Sequence, residues 1–144
     1  MSNKHLAYSF ARSLTERDAA GYAALLHPDY LNHNAFAQPG KAGSVSVFFD
    51  GFLRACPDFR VAAEDVFEDG DTLIGRFQYT GTFVQPLMGY AATGQTLQMR
   101  SIDIWRVQDG LLLEHWDELN TLEFFVQLGA AQMVAPGTGK GAVR

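Results

Sequence analysis

The hydrophobic period of this 144-residue chain changes once, at Cys56-Pro57, and that change limits what the chain can fold into more than any other feature. Before it, apolar residues recur three and four apart. Leu6, Ala7, Phe10 and Leu14 mark a first helix from Asn3 to about Leu14, and Tyr22, Leu25 and Leu26 mark a second that Asp18 can cap and His27-Pro28 ends. Ser44 can cap a third, carrying Val45, Phe48, Phe49, Phe52 and Leu53 and stopped by Cys56-Pro57. After Pro57 the period is that of strands: Phe59 to Phe67, a turn at Glu68 to Asp71, Thr72 to Phe83, then Arg100 to Val107 and Leu111 to Leu119. Gln85 to Gln95 is a loop with Pro86, Gly89 and Gly94, and a last short helix begins at Asn120 or Thr121 and ends at Gly129. Helices followed by a meander of long antiparallel strands predict an α+β domain, its curved antiparallel sheet wrapped around the N-terminal helices. Residues 1–133 form that single domain, and the Gly-rich residues 134–144 read as a flexible tail.

Composition excludes several classes of partner. A net charge of −5 with scattered basic residues argues against a nucleic-acid or anionic-membrane surface. Cys56 is the sole cysteine, which rules out an internal disulfide and a thiolate metal cluster and fits a reducing, cytoplasmic location. No apolar run approaches a membrane span, and the N-terminus lacks a secretory pattern. GxSxG, a P-loop and a dinucleotide fingerprint are absent. His27, His33 and His115 show no ligand spacing such as HxH or HExxH, so no metal is expected.

The hairpin SIDIWRVQDGLLLEHWDELN, Ser101 to Asn120, carries the chemistry. Its register decides which residues share a face. A two-residue turn at Asp109-Gly110 sets Asp103 opposite Trp116 and turns Asp117 to the other face. A three-residue turn with Gly110 left-handed pairs Val107 with Leu111, Trp105 with Leu113, Asp103 with His115 and Ser101 with Asp117, and puts Arg100 opposite Glu118 on the reverse face. The second register matches apolar with apolar and charge with opposite charge, each pair contributing roughly 0.2–1 kcal/mol, and is the one expected.

The order of elements, HPDYLNHN, GTFVQPLMGYAATG and DIWRVQDGLLLEHWDELN together resemble the SnoaL-like polyketide cyclases, within the superfamily built like nuclear transport factor 2. The resemblance spans roughly residues 5 to 130. It implies a cone-shaped α+β barrel, usually dimeric, that closes rings by intramolecular aldol chemistry without metal or organic cofactor. The acid–base aspartate of such cyclases matches Asp117 in EHWD. Two positions depart from the pattern: Asp103 stands where the cyclases often carry histidine, and Phe83 replaces the histidine of a common GTH, removing a polar group. Other branches isomerise ketosteroids, dehydrate polyketides or open epoxides, and some only bind.

Asp103 sits between Ile102 and Ile104, where a strand disfavours aspartate and a buried carboxylate needs partners. His115 can hydrogen-bond it across the strands, and near apolar walls the carboxyl pKa rises toward a range useful for proton transfer. Asp117, Asp103 and His115 are therefore the candidate catalytic residues. Alternation from Tyr30 to Asn34 places Tyr30, Asn32 and Asn34 on one face, where an asparagine can hold a carbonyl or enolate oxygen or simply form a turn. Asn32, Asn34, Tyr30, Trp105, Phe52 and Phe83 are the candidate substrate contacts, the aromatic ones serving as pocket wall or core. Exposed Trp116 beside Ile102 and Ile104 makes the outer sheet face the expected homodimer interface. The leading expectation is a cofactor-independent acid–base enzyme acting on a small, hydrophobic, carbonyl-bearing molecule by a cyclase-like reaction. A hydrolase, hydratase or isomerase using the same carboxylates, and a non-catalytic binding domain, remain open.

Overall fold

The computed structural model describes residues 1–137. Helix α1, Lys4–Thr15, is followed by α2, Ala19–Ala24, which Asp18 caps by accepting a hydrogen bond from the Gly21 amide at 2.9 Å. Strand β1, Leu26–Asn32, then leads to α3, Lys41–Ser46. This helix widens into a π-helical turn at Val47–Phe52 and closes with α4, Leu53–Ala55. Strands β2, Arg60–Asp69, β3, Thr72–Thr82, β4, Thr96–Gln108, and β5, Leu111–Leu119, form the meander, and α5, Thr121–Leu128, ends at left-handed Gly129. Residues 131–137 carry no regular secondary structure, and the expected tail lies outside the described residues from position 138 on. No described helix is long and apolar enough to cross a membrane.

The α+β architecture stands, with the sheet curved and open in the order β1-β5-β4-β3-β2. Strands β2 to β5 pair antiparallel, whereas β1 pairs parallel with β5, matching Asn32 to His115. Two local expectations are corrected. His27-Pro28 does not end the second helix but lies within β1, an edge strand whose pairing is irregular between Leu26 and Leu31, so the missing proline N–H is tolerated there. Ser44 is not a cap: it is buried inside α3, and Gly40 holds the N-cap position.

The core forms where α1 crosses the inner sheet face. Phe10 lies 5.1 Å from Phe77 and 5.3 Å from Trp105, centroid to centroid, and both partners are fully buried. Aromatic pairs in such tilted contacts add about 0.5–1.5 kcal/mol beyond their area burial. The π-helical turn rotates the helix so that Val47, Phe48, Gly51 and Phe52 all border a cavity between helices and sheet.

Candidate active site

The β4–β5 turn uses two residues, not the three expected. Asp109 and Gly110 have φ of 54° and 74°, and Gln108 pairs with Leu111 and Val107 with Leu112. Both central residues are left-handed, as a two-residue turn matching strand twist requires, and Asp-Gly is a favoured sequence for it. Continued unbroken, that register would send Asp117 to the outer face. It is broken one step later: Leu113 is an extra residue, a β-bulge, and beyond it Arg106 pairs with Glu114, Trp105 with His115 and Asp103 with Asp117. The bulge shifts the strand phase by one residue. Asp103, His115 and Asp117 therefore border one cavity, although every predicted cross-strand pair differs. Arg100, expected opposite Glu118, instead binds Glu123 of α5 through both terminal guanidinium nitrogens at 3.1 and 2.9 Å.

Parallel pairing of β1 completes the site by placing Asn32 beside His115. The Asn32 side-chain oxygen accepts from the Asn34 backbone N–H at 2.9 Å, and its amide nitrogen donates to Ser44 Oγ at 2.9 Å. Those two bonds fix the amide orientation, because a backbone N–H can only donate. His115 Nδ1, 2.8 Å from that same oxygen, must then carry a proton. His115 Nε2 lies 2.7 Å from Asp103 Oδ1, so one proton is shared between imidazole and carboxyl in either charge form. The other Asp103 oxygen accepts from the Ser101 hydroxyl, which lies 3.0 Å from the Tyr79 hydroxyl. Burial raises the Tyr79 pKa well above the ordinary phenol value, with Asp103 adding to the effect. Asp103 and His115 are 2% and 6% exposed, and their polar atoms are saturated by protein partners. The His115 ring also stacks on Trp105 at 5.2 Å.

Asp117 is treated differently. It is half-buried, and its carboxylate accepts from one donor, the Asn34 side-chain amide, at 3.0 and 2.8 Å. Burial raises its pKa above the ordinary 3.8, the neighbouring His115 and the Asn34 hydrogen bond oppose the rise, and Asp103 and Glu118 reinforce it. A carboxyl held above its usual range and open to a cavity can take a proton from a bound molecule and return it.

The cavity is about 180 Å³ and mostly apolar. Of the predicted contacts, Asn32, Asn34, Tyr30 and Phe52 line it. Trp105 and Phe83 do not: they are 1% and 0% exposed, packed in the core behind the wall. The amides of Asn32 and Asn34 are engaged by Ser44 and Asp117, so neither stands free as an oxyanion donor. Sequence reading missed the Ser101–Tyr79 support, the cavity-facing Tyr22, and Phe36, Leu87 and Met88 at the wall. Alternation along β3 and β4 carried a signal for Tyr79 and Ser101; loop residues offered none.

Asp103, His115 and Asp117 each offer an atom within 4.8 Å of the others, so they are also the residues that could hold a cation. Sequence spacing could not reveal this, because the three come together across two strands. A divalent ion bound by His115 Nε2 and Asp103 would have to replace their shared proton. Cys56 is buried and its thiol is pushed up to about 11, first by burial and then by Asp58, which removes it as a nucleophile at neutral pH.

The family model described as SnoaL-like polyketide cyclase matches residues 5–128. The chain belongs to the SnoaL-like polyketide cyclase family. Among solved structures, this SnoaL-like protein is similar to TsrD from Streptomyces laurentii at 29% identity, with 88% of this chain and 94% of that chain covered and a TM-score of 0.79. It is also similar to AclR from Streptomyces galilaeus, described as a candidate hydroxylase, at 25% identity, 90% and 97% coverage and a TM-score of 0.80. IdmH from Streptomyces antibioticus, described as a candidate polyketide cyclase, shares the fold at 24% identity, 90% and 99% coverage and a TM-score of 0.74. No curated protein matches the sequence.

Proposed function

We propose that this SnoaL-like protein is a cofactor-independent acid–base enzyme that moves protons on a hydrophobic, carbonyl-bearing small molecule, and that its reaction is an intramolecular aldol ring closure of the cyclase kind. The observation that carries the reading is the division of labour between two facing carboxyls: Asp103 is saturated by Ser101 and His115, whereas Asp117 opens to the apolar cavity with a raised pKa. Asp117 removes a proton from the carbon beside a carbonyl. The electron pair released attacks a second carbonyl carbon in the same molecule, and Asp117 returns its proton to the alkoxide so formed. The shared proton of Asp103 and His115 fixes the charge next to Asp117, and Asn34 holds its carboxyl in place. With no lysine or arginine in the described wall, the cavity suits a neutral substrate.

The test uses 2-tetralone, a small apolar ketone with acidic neighbouring protons. In heavy water the wild type accelerates exchange of those protons, followed by NMR, and Asp117→Asn slows the catalysed exchange on the order of 10²–10⁴-fold. Equal exchange with and without wild-type protein, while the ketone binds, supports the binding-domain reading instead.

Assembly as a homodimer through the outer sheet face belongs to the same reading. Phe67, Ile74, Ile104 and Trp116 pair in sequence across four strands and form one apolar row. Phe67 and Ile104 are exposed, while Trp116 is partly covered by the His33 ring at 5.0 Å and by Arg106. Ile104→Glu is expected to convert a dimer to a monomer in sedimentation analysis, and a monomeric wild type would contradict the assignment.

A further inference from the structure

One buried polar group in the cavity has no task in the account above, the hydroxyl of Tyr22. Its ring is held in α2 by Phe10 and Phe48 at 5.8 Å and by Phe49 at 5.7 Å. The side chain is 2% exposed, yet its hydroxyl makes no hydrogen bond among the described residues. Every fully enclosed side-chain oxygen or nitrogen there has a partner, so the Tyr22 hydroxyl is not enclosed: it opens onto the cavity that Tyr22 lines. Burial, and after it the neighbouring Tyr30 and Asp103, raise its pKa well above the ordinary phenol value, so it is a neutral O–H near pH 7. Of the other donors nearby, Tyr79 is bonded to Ser101 and the two asparagine amides serve Ser44 and Asp117, while the Tyr30 oxygen faces the Trp105 and Ser44 side chains.

We infer that the Tyr22 hydroxyl is the donor that binds the substrate's carbonyl oxygen and holds the negative charge that develops there. The inference rests on the reading of Asp117 as base. As the Asp117 carboxylate takes the proton, the C–H electron pair becomes a C=C bond and the carbonyl π pair moves onto oxygen, giving an enolate hydrogen-bonded by Tyr22. Tyr22 keeps its own proton throughout, acting as a preorganised dipole rather than an acid. It is a binding donor missed in the sequence because Tyr22 falls on the apolar stripe of its helix.

The probe is 2-acetylnaphthalene with a ¹³C-labelled carbonyl, followed by difference infrared spectroscopy and fluorescence titration. Bound to the wild type, its carbonyl stretch moves to lower wavenumber. In Tyr22→Phe, which keeps the ring and its aromatic contacts, the shift disappears and the Kd rises roughly two- to tenfold, the worth of one neutral hydrogen bond. Replacing Tyr22 by 3,5-difluorotyrosine, a stronger donor of nearly the same size, moves the stretch further. A wild type that fails to bind the ketone, or an identical stretch in wild type and Tyr22→Phe, overturns the inference. The probe is bound without turnover, so the two readings fail separately: loss of the Asp117 assignment leaves the carbonyl shift intact, and loss of the Tyr22 assignment leaves exchange dependent on Asp117.

Discussion

Asp103 and Asp117 face each other across β4 and β5, yet the fold treats them in opposite ways. The Asp103 end is closed: Ser101, Tyr79, His115, Asn32 and Ser44 form a chain of hydrogen bonds that leaves no polar atom without a partner. The Asp117 end is open, with one amide for company and apolar walls beyond. A satisfied buried network gives rigidity, and a partly desolvated carboxyl gives reactivity at a cost in stability. The pair thus separates the work of holding the site from the work of moving a proton.

Shifting the strand phase that brings the two ends together should have the largest effect. Inserting one alanine between Leu113 and Glu114 moves the strand one residue out of phase beyond the bulge, which sets Asp117 opposite Ile102 on the outer face and strips His115 from Asp103. We expect loss of cooperative thermal unfolding by circular dichroism together with all catalysed exchange, whereas deleting Leu113 leaves Glu114 opposite Arg106 and Asp117 opposite Asp103 and should keep the fold; a folded, fully active insertion variant would mean that the strand phase does not align the site. Next is Asp103→Ala, which leaves His115 and Ser101 without their buried partner. Urea unfolding should show about 3–5 kcal/mol of destabilisation, the range for breaking a buried pair. A change below about 1 kcal/mol would show that the closed end does not hold the fold.

The smallest effect separates the two carboxyls by pH. Because the native Asp117 pKa lies above its ordinary 3.8, the folded protein keeps a proton over a range in which the unfolded chain has lost it. Stability contributed by this group is present at low pH and is lost as pH rises from 3.8 through the raised native value. Asp117→Asn should therefore be at least as stable as wild type at pH 7, with the gain vanishing toward pH 3.5 in denaturant titrations. A gain at low pH and none at neutrality would reverse the assigned direction.

Much of this arrangement was legible in the sequence, and the failures have a common cause. The change of period at Pro57 and the alternation within β3 and β4 report burial on one sheet face, which any inner-facing residue records. The bulge left no such trace. Leu111, Leu112 and Leu113 are identical, so either strand phase puts a leucine inward and the sequence cannot say where the phase changes. The asparagines were placed on the correct face, but alternation does not tell which partner an amide will choose. Asn32 was claimed by Ser44 and Asn34 by Asp117, contacts that cross 12 and 83 positions of the chain. Trp105 and Phe83, for which the sequence left wall and core open, fill the core; a large aromatic residue has the same pattern in either place.

The contrast between the two carboxyls is tested most directly by following the Asp117 side-chain carboxyl through a ¹³C NMR titration of the intact protein. The account predicts a midpoint clearly above 3.8, moving when His115 is replaced, since His115 is the leading influence opposing the rise caused by burial. A midpoint at or below 3.8 would show Asp117 to be an ordinary solvated carboxylate and would contradict its role as the proton-transferring group.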